Sequence, residues 1–568
     1  MNYKSTIVNN MPIASEFPSV HVADRSFSEN VLDAIWKHAV AQPNKAAFIN
    51  AEDPSEKVTY LDLYTRTLSI AAFLEKRHFG HGDLACVVLP NCWEYYAIFL
   101  GIATQGGAMS GASYLFTDYE LERQFKDSQS KLVFCGDDTL ERVLKAAKNC
   151  PRVQTIVVVP KKGSTNEYPF GVVNFNQVYQ TQPNVHRHVV DHDIERDILI
   201  LPYSSGTTGS PKGVMLSHKN FGTMVNILMS HMDREIIPHI DRNFDWSKEN
   251  GLLFLPFYHI YGFGVVNNLI LRGSTGIIMS HFEPNVFCRS IETFKIRLLM
   301  LVPPILVFLA KHPIVQKYDL SSVVFVLSGA APAGKDLCED VMRKIPSVKH
   351  ITQGYGMTEI SMASHFPVIS KDPKFGNAGK LASNLTMKIV DPETRKEVPN
   401  GERGEICLQG PTVMMGYLNR PQATAETVDD EGWLRTGDIG YVDKDGYLFI
   451  VDRLKELIKV KGLQVPPAEL EDLLLTHPQI QDAAVIGIPH EKDGEHPLAF
   501  VVRANESLTE MEVEEFVKVR VAHYKQLKGG VYFIPQIPKS AAGKILRRFL
   551  RDEADAILKA KAGKQSKL

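Results

Sequence analysis

The chain has 568 residues, of which 44% are hydrophobic and 23% are charged, and its 63 Lys and Arg against 65 Asp and Glu give a formal net charge of −2. A chain of this length exceeds one core, so we expect about three or four domains or subdomains. The near balance of charge argues against a function based on bulk attraction to nucleic acid or to an anionic membrane.

The seven cysteines are scattered without a CxxC pair, and the 19 histidines show no zinc-ligand spacing, which predicts reduced core thiols in an intracellular protein. Residues 1–17 have no apolar run of the kind that a secretory signal needs. The most apolar stretch, residues 298–310, is 13 residues long and is broken by Pro303 and Pro304, whereas a membrane span needs about 20 residues. It predicts a core strand followed by a helix that begins at proline.

Strand-like and helix-like segments alternate from about residue 30 to residue 450. An apolar run from Ile198 predicts a strand, and residues 214–229 have the apolar spacing of a helix. Further strands are predicted at 275–280, 297–302 and 322–328, with helices at 284–296 and 303–312 between them. This alternation predicts an α/β fold of parallel sheets flanked by helices, with ligands at the carboxyl ends of the strands.

The pattern changes near residue 440, where short strand-like segments, an Asp-Gly turn and a dense charged run follow one another. Beyond it, helices are predicted at 467–477, at about 510–524 and from Lys544, and strands at 482–488, 497–504 and 531–534. These elements predict a small α+β domain of about a hundred residues. We therefore predict an N-terminal domain of residues 1–451 and a C-terminal domain of residues 452–568.

Residues 203–213, YSSGTTGSPKG, contain three glycines, five Ser or Thr hydroxyls and one lysine, between the predicted strand and the predicted helix. Glycines allow backbone N–H groups to approach an oxyanion, and the hydroxyls and Lys212 add donors and charge, so we favour a phosphate-binding loop over a flexible linker. The usual P-loop has Ser or Thr after its lysine, but Gly213 stands there. A magnesium ligand must therefore come from elsewhere.

Six motifs occur in one order over about 340 residues: YSSGTTGSPKG, GYGMTE, GEICLQG, GWLRTGDIG, VDRLKELIKVKG and PKSAAGK. In this series the chain resembles the adenylate-forming superfamily of acyl-CoA synthetases, firefly luciferases and peptide-synthetase adenylation domains, and within it the plant coumarate–CoA ligases and luciferases. The resemblance implies that the N-terminal domain includes a small β-barrel subdomain and that the C-terminal domain is mobile.

The resemblance also implies two half-reactions. A carboxylate attacks the α-phosphate of ATP to give acyl-AMP and pyrophosphate, and a thiol, usually coenzyme A, then displaces AMP. A carboxylate is a poor electrophile, and the mixed anhydride supplies a good leaving group. The expected cofactors and co-substrates are ATP, Mg²⁺ and coenzyme A, and the expected partner is a small-molecule carboxylic acid.

Nucleotide-binding roles are implied by matching motifs. The β- and γ-phosphates would be held by Ser204, Ser205, Gly206, Thr207, Thr208, Gly209 and Lys212. Thr358 would bond the α-phosphate, and Glu359 would supply the oxygen ligand for Mg²⁺ that the loop lacks. Tyr355 and Gly356 would lie near the adenine, and Gly329 and Ala330 belong to the same nucleotide-binding set.

Three charged residues have implied roles in the cleft. Asp438 would bind both ribose hydroxyls, since a carboxylate suits a vicinal diol, and Arg453 would assist it; the alternative for Asp438 is a turn-forming aspartate. Lys544 would bridge the substrate carboxylate and the nucleotide and stabilise charge in the transition state. Its alternative is a solvated lysine at the start of a helix, a position that disfavours cations.

Lys455 resembles the hinge of the family, a residue that absorbs a large backbone change. After adenylation the C-terminal domain would rotate, so that Lys544 leaves the cleft and the face with Lys459, Gly462 and Gln464 arrives to form the path of the thiol. Judged only as a charged run, the segment around Lys459 is a solvated face.

The acyl pocket is implied to involve residues 257–264, with His259 near the substrate carboxylate, together with residues 300–302, Gly329, Gly354 and the residues after Glu359. From the residues alone, His259 fits a core histidine nearly as well.

The chain departs from plant coumarate ligases at three places. ISMAS (360–364) stands where they have AGPV-like residues, Gln409 where they commonly carry Arg, and Val460 where Tyr is common. These departures leave the adenylation motifs intact and argue against a hydroxycinnamate substrate.

The last three residues, Ser566, Lys567 and Leu568, form the tripeptide address read by the peroxisomal import receptor; the alternative is a chance ending on a lysine-rich tail. The address predicts a peroxisomal acyl-CoA synthetase that acts on a fatty or fatty-like acid. The alternatives are a luciferase-like monooxygenase, a coumarate-type ligase, a peptide-synthetase module and a non-catalytic acyl-nucleotide binding protein.

Overall fold

The computed structural model describes residues 12–183, 190–204, 211–331, 333–370, 374–461, 463–490, 492–540 and 543–565. Within these ranges, mainly parallel sheets flanked by helices precede a five-stranded antiparallel sheet and a five-stranded C-terminal sheet. The predicted fold class, an α/β N-terminal domain with a small α+β C-terminal domain, is confirmed.

The first sheet runs through nine strands. Their order is Tyr203–Ser204, Lys212–Ser217, Ile198–Ile200, Ala108–Gly111, Leu84–Val88, Leu132–Gly136, Thr155–Val159 and Val172–Asn174, with Gly416–Tyr417 beside Lys212–Ser217. The pairings from Ile198–Ile200 to Val172–Asn174 are parallel, whereas Lys212–Ser217 is antiparallel to all three of its neighbours.

The second and third sheets carry the strands that were predicted between residues 275 and 328. The second sheet has the order Asn250–Leu253, Thr275–Ile278, Ala46–Asn50 and Lys57–Thr59, and the third has the order Leu298–Leu301, Phe325–Ser328 and His350–Gln353. All pairings of the third sheet are parallel, so its three carboxyl ends lie side by side.

The predicted β-barrel subdomain corresponds to a five-stranded antiparallel sheet. Its order is Ile13–Ala14, Thr386–Val390, Gly404–Gln409, Leu434–Val442 and Leu448–Arg453. The last two strands flank a turn at Gly446, whose φ of 82° favours glycine, as the Asp-Gly step predicts. The short strands His365–Phe366 and Lys380–Leu381 form a separate antiparallel pair.

Sixteen α-helices are present in the described ranges. They are Phe27–Ala41, Tyr60–Lys76, Trp93–Thr104, Asp118–Ser128, Leu140–Ala147, Phe175–Tyr179, His218–His231, Ile237–Ile240, Ile260–Leu271, Pro284–Phe294, Pro303–Lys311, Lys335–Lys344, Pro421–Thr427, Pro467–Leu475, Glu510–Lys518 and Arg547–Gln565. Trp93–Thr104 is buried along its last ten residues and lies in the largest hydrophobic core.

The prediction of a helix over 214–229 is wrong in its first four residues. Val214 and Leu216 are buried with Met215 between them less so, which is the alternation of a strand, and the strand Lys212–Ser217 takes this part. The helix begins at His218, where the Ser217 hydroxyl accepts the Asn220 N–H in a capping box. The Gly/Ser/Thr loop therefore joins two antiparallel strands and not a strand to a helix.

The C-terminal sheet has its own core. Its order is Leu463–Val465, Ile458–Val460, Gly494–Arg503 and Ile480–His490, with Gly530–Phe533 parallel to Gly494–Arg503. Fifteen buried side chains from residues 458–531 pack together on one side of it. The boundary between residues 451 and 452 stays a prediction.

The prediction of a helix from Lys544 is wrong by three residues. Lys544 lies in an extended segment, where Lys539 and Ile545 form an isolated bridge, and the helix begins at Arg547. The argument that a helix N-terminus disfavours Lys544 therefore does not hold, and its role has to be judged from its surroundings.

All seven cysteines are free thiols, and six of them are buried. No helix in the described ranges is both long enough and apolar enough to cross a bilayer.

Candidate active site

The carboxyl ends of the third sheet position the predicted nucleotide-binding residues. Gly329 and Ala330 follow the strand Phe325–Ser328, and Tyr355 and Gly356 follow His350–Gln353. A Cβ on Gly356 would lie 1.9 Å from the Met362 carbonyl oxygen, so this turn requires glycine. These segments therefore lie together at the carboxyl edge of the third sheet, as the sequence predicts.

Asp438 is the centre of a polar trio. The Tyr355 hydroxyl donates to Asp438 Oδ2 at 2.6 Å, and Arg453 Nε lies 3.5 Å from Asp438 Oδ1. Asp438 and Arg453 face each other across two antiparallel strands, which fixes their separation. Burial and the neighbouring Asp438 raise the pKa of Tyr355 well above its usual value, so Tyr355 stays a donor. A buried carboxylate held in this way can accept hydrogen bonds from a diol.

Glu359 lies in the short 3₁₀ helix Thr358–Ile360 and is only 3% exposed. The Tyr417 hydroxyl donates to Glu359 Oε1 at 2.9 Å, and Lys212 Nζ lies 4.8 Å from the centre of the Tyr417 ring. Tyr417 therefore connects the lysine of the phosphate loop to the predicted magnesium ligand. Carboxylate oxygen is the ligand type that Mg²⁺ prefers, so Glu359 fits the ion that its motif implies.

Lys544 reaches into the same cleft from the C-terminal domain. Burial, and then the positive charge of Arg453, lower its pKa to about 8 against the opposing effect of Asp438 and Glu359. The preceding Gly543 packs against the N-terminal domain, since a Cβ there would lie 3.0 Å from Pro304 Cδ. Lys544 is thus a desolvated cation among the groups predicted to bind ribose and magnesium.

His259 lies beside Lys544 at the start of the helix Ile260–Leu271. Its Nδ1 accepts the Tyr261 N–H at 3.2 Å, which caps that helix and orients the ring. Burial, and then the positive charge of Lys544, lower the pKa of His259 to about 4. A neutral imidazole in this place can hydrogen-bond a carboxylate without adding charge, so the geometry favours the site over the core-histidine alternative.

The phosphate loop is only partly described. Ser204 pairs with Lys212 across two antiparallel strands, whereas Ser205, Gly206, Thr207, Thr208 and Gly209 lie outside the described residues. The base of the loop is anchored by Asp127, which accepts the Tyr203 hydroxyl at 2.9 Å and Arg420 Nη2 at 2.8 Å.

The residues predicted for the thiol path do not lie in this cleft. Lys459 is exposed in the strand Ile458–Val460, and its N–H donates to Glu495 Oε2 at 2.7 Å. Lys455 is exposed as well. Gly462 lies outside the described residues, and Gln464 pairs with Lys459 through the backbone. The structure therefore shows the arrangement in which Lys544 occupies the cleft.

Sequence reasoning missed two residues that contact the site, Tyr417 and Asp127. Neither belongs to a motif with a distinctive spacing, because a lone tyrosine after glycine and a lone helical aspartate are common. Their partners lie 58 and 76 residues away in the chain, so only the fold brings them together.

Around the predicted acyl pocket, small and aromatic residues meet. A Cβ on Gly329 would lie 3.2 Å from Tyr261 Cε1, so Gly329 packs directly on that ring. The Met362 sulfur occupies the space next to Gly264, where a Cβ would lie 2.2 Å from it. The Tyr261 hydroxyl donates to the Leu327 carbonyl at 3.3 Å. The three predicted segments, 257–264, the strand ends and the residues after Glu359, therefore converge.

Two family models match this sequence. The one described as AMP-binding enzyme covers residues 35–418, and the one described as AMP-binding enzyme C-terminal domain covers residues 469–544. The chain belongs to the AMP-binding enzyme family.

Members of this family with a similar sequence include 4-coumarate–CoA ligase 1 of Petroselinum crispum, 42% identical over 516 residues, which covers 89% of this chain and 91% of the relative. The 4-coumarate:CoA ligase 1 of Petunia hybrida is 43% identical over 500 residues, 87% of this chain and 88% of the relative. Among solved structures, ATP-bound MatB from Rhodopseudomonas palustris is 25% identical with a TM-score of 0.81, covering 94% of this chain and 100% of that chain. The predicted superfamily and enzyme class, an AMP-forming acid–thiol ligase, are confirmed.

Proposed function

We propose that this chain, an AMP-forming acid–CoA ligase, activates an aromatic acid of the hydroxycinnamate class. The observation that carries this proposal is the 42–43% identity to 4-coumarate–CoA ligases over nearly nine-tenths of both chains. These relatives favour the coumarate-type alternative over the fatty acid that the peroxisomal address predicts.

The walls of the acyl pocket support an aromatic acid. Tyr261 lies directly on Gly329, where a larger residue would meet the ring, and Met362 fills the space beside Gly264. The Tyr261 ring therefore forms one wall of the predicted pocket, and an aromatic face of this kind can offer offset stacking to a flat substrate ring. The Ile360–Ser364 segment differs from AGPV-like sequences, so the substituents on that ring are expected to differ from those of coumarate.

The adenylation step follows from the charges in the cleft. Lys544 is a desolvated cation and can bridge the substrate carboxylate and the α-phosphate, where negative charge builds up in the transition state. Neutral His259 orients the carboxylate, and Asp438 with Tyr355 holds the ribose. Thr358 would bond the α-phosphate, and Glu359 would hold the magnesium ion, which neutralises phosphate charge when it is bound.

The thioester step requires a different face of the C-terminal domain. Lys459 is exposed and Lys544 fills the cleft, so coenzyme A can enter only after the two exchange places. We infer a rotation about Lys455, an exposed residue between the strands Leu448–Arg453 and Ile458–Val460.

The test is carboxylate-dependent exchange of pyrophosphate into ATP, followed by thioester formation when coenzyme A is added. The acids are 4-coumarate, ferulate, cinnamate and benzoate, with octanoate and palmitate as the fatty acids. We expect exchange and thioester with at least one cinnamate. Exchange restricted to the fatty acids would overturn the aromatic proposal, and exchange without thioester would overturn the assignment of coenzyme A as acceptor.

The peroxisomal location and the import receptor stay predictions, since Ser566, Lys567 and Leu568 lie outside the described residues.

A further inference from the structure

A cluster of metal-ligand side chains lies between the motifs VDRLKELIKVKG and PKSAAGK, at the turn of the hairpin formed by Ile480–His490 and Gly494–Arg503. It consists of His490, Asp493 and His496, whose ligand atoms all lie within 4.8 Å of one another. Among the described residues, no other group of three His, Cys, Asp or Glu side chains converges this closely. We propose that these three residues bind one divalent transition-metal ion of the Zn²⁺ class.

The distances suit a single ion. His496 Nε2 lies 2.9 Å from Asp493 Oδ2, and the rings of His490 and His496 are stacked with centres 3.8 Å apart. Ligand atoms of a tetrahedral zinc ion lie about 3.5 Å from one another, given bonds of about 2.0–2.2 Å. The ion would replace the proton that His496 shares with Asp493. Because a ring nitrogen binds a metal in the plane of its ring, the His490 ring would turn out of its stack on His496 to reach the same ion.

The turn also selects the nitrogen of His490 that can bind an ion. The Asp493 N–H donates to His490 Nδ1 at 3.2 Å, so Nδ1 carries the lone pair and Nε2 carries the proton. An ion would bind Nδ1 in place of this N–H contact, and Nε2–H would stay a donor, as the second nitrogen of a metal-bound histidine is.

The hairpin holds the ligands in place before any ion arrives. His490 pairs with Gly494 and Ile488 with His496 in a ladder that continues to Arg503. Ligands carried by paired strands are positioned more accurately than ligands on an open loop.

The donor set determines the class of ion. Two imidazole nitrogens and one carboxylate suit Zn²⁺ and its neighbours in the first transition row, whereas Mg²⁺ and Ca²⁺ prefer oxygen ligands throughout. Three protein ligands leave a fourth position for water or for a ligand from solution.

The site contacts the segment that is predicted to form the thiol path. The Lys461 N–H donates to the Asp493 carbonyl at 2.7 Å, and Lys461 Nζ lies 3.5 Å from Asp493 Oδ1. A bound ion would take over as the counter-charge of Asp493 and would stiffen the turn against which residues 458–461 pack.

The experiment uses the untagged full chain, stripped of metal with a chelator, in equilibrium dialysis against Zn²⁺ and in visible spectroscopy with Co²⁺. We expect one ion per chain that excess Mg²⁺ does not displace, with the intense Co²⁺ bands of a four-coordinate site. The double variant His490→Gln/His496→Gln should lose that one equivalent, and Asp493→Asn should weaken binding by about tenfold or more. His523→Gln, an exposed histidine of the same domain, is the matched control and should bind as the native chain does.

Equal Zn²⁺ binding by the native chain and the double variant would overturn the proposal, as would a site that Mg²⁺ fills equally well. Amide hydrogen exchange gives a second measurement that does not depend on activity or on the substrate. Saturating Zn²⁺ should slow exchange in residues 488–496 of the native chain and not in the double variant. Unchanged exchange in this segment would also overturn it, and thermal unfolding without metal verifies that the variants are folded.

Discussion

Replacing Lys544 with alanine removes a cation that lies in a desolvated cleft with Asp438, Glu359 and Arg453. Because preorganised charge acts most strongly in such a site, we expect Lys544→Ala to slow pyrophosphate exchange by about 10²–10³-fold. Thioester formation from chemically prepared acyl-AMP should change far less, since the inferred rotation removes Lys544 from the cleft before that step.

The matched control is Lys518→Ala, a lysine of the same domain that forms an exposed pair with Glu515 and should leave both rates unchanged. Exchange by Lys544→Ala at a near-native rate would remove the catalytic role of this lysine. Equal loss of both half-reactions would indicate a damaged domain instead.

The pKa of Lys544, lowered to about 8 by burial, predicts an alkaline limit to adenylation. Lys544 carries its charge below this pKa and loses it above, so kcat/KM for exchange should fall as pH rises through about 8. Lys544→Arg keeps the charge at high pH, because the guanidinium does not titrate in this range, so its kcat/KM should not fall between about pH 8 and pH 10. If kcat/KM of Lys544→Arg still falls in this range, a group other than Lys544 causes the decrease.

Tyr417 supports Glu359 through one hydrogen bond of 2.9 Å from its hydroxyl. Tyr417→Phe removes the bond and keeps the ring against which Lys212 lies. A net loss of about 1 kcal/mol corresponds to an increase of about fivefold in the KM for Mg·ATP. Tyr441→Phe, in a half-buried stacked pair with Phe449, is a control in which KM should not change. An unchanged KM in Tyr417→Phe would show that Glu359 does not need this support.

At the scale of elements, a buried ion pair holds the helix Arg547–Gln565 against the helix Pro467–Leu475. Both Nη2 contacts of Arg547 to the Glu471 carboxylate are 2.7 Å, and this carboxylate also accepts the Val485 N–H at 2.8 Å. Glu471→Gln removes the carboxylate that contacts Arg547 directly, while Asp452 and Glu456 remain near the guanidinium. We therefore expect a loss of about 3 kcal/mol in the free energy of unfolding of the C-terminal domain, the lower end for a broken buried ion pair. Chemical denaturation monitored by hydrogen exchange measures it.

The helix Pro467–Leu475, which carries Glu471, also provides the control. Glu469 pairs with Lys525 at 2.5 Å at a more exposed position, and Glu469→Gln should cost less than about 1 kcal/mol. Similar losses in the free energy of unfolding for the two variants would contradict the assignment of the buried pair as the main contact that holds the helix Arg547–Gln565.

Elements whose apolar period is strong are predictable from the sequence. The strands and helices between Thr275 and Ser328 follow the predicted alternation, and Pro303 and Pro467 mark helix starts because proline is tolerated there. The short apolar run at residues 214–217 fits either period, so the sequence predicts helix there, whereas the Ser217 cap places the start of the helix at His218.

The candidate site follows from a different signal: motif matching selects Asp438, Glu359 and Lys544 one by one, and the structure brings them into one cleft, while their roles stay predictions. Motif matching does not select Tyr417, because its contact with Glu359 depends on sheet order. The strand Gly416–Tyr417 pairs with Lys212–Ser217 from about 200 residues away, and neither local period nor composition reports such a pairing.

At the scale of the whole molecule, the two domains meet in one arrangement, with Lys544 in the cleft and Lys459 exposed. Gly334 and Asp472 face each other across this interface, since a Cβ on Gly334 would lie 3.8 Å from Asp472 Cγ. Gly334 has a φ of −68°, which any residue adopts, so Gly334→Cys/Asp472→Cys places two thiols within reach of a disulfide.

Oxidation of this double variant should hold the adenylation arrangement. We expect the oxidised chain to keep pyrophosphate exchange and to lose thioester formation, because the face with Lys459 cannot enter the cleft. Reduction should restore the thioester, and each single variant serves as a control for the substitutions themselves. Thioester formation at the native rate by the fully cross-linked chain would mean that one arrangement performs both half-reactions, and the inferred rotation about Lys455 would then be wrong.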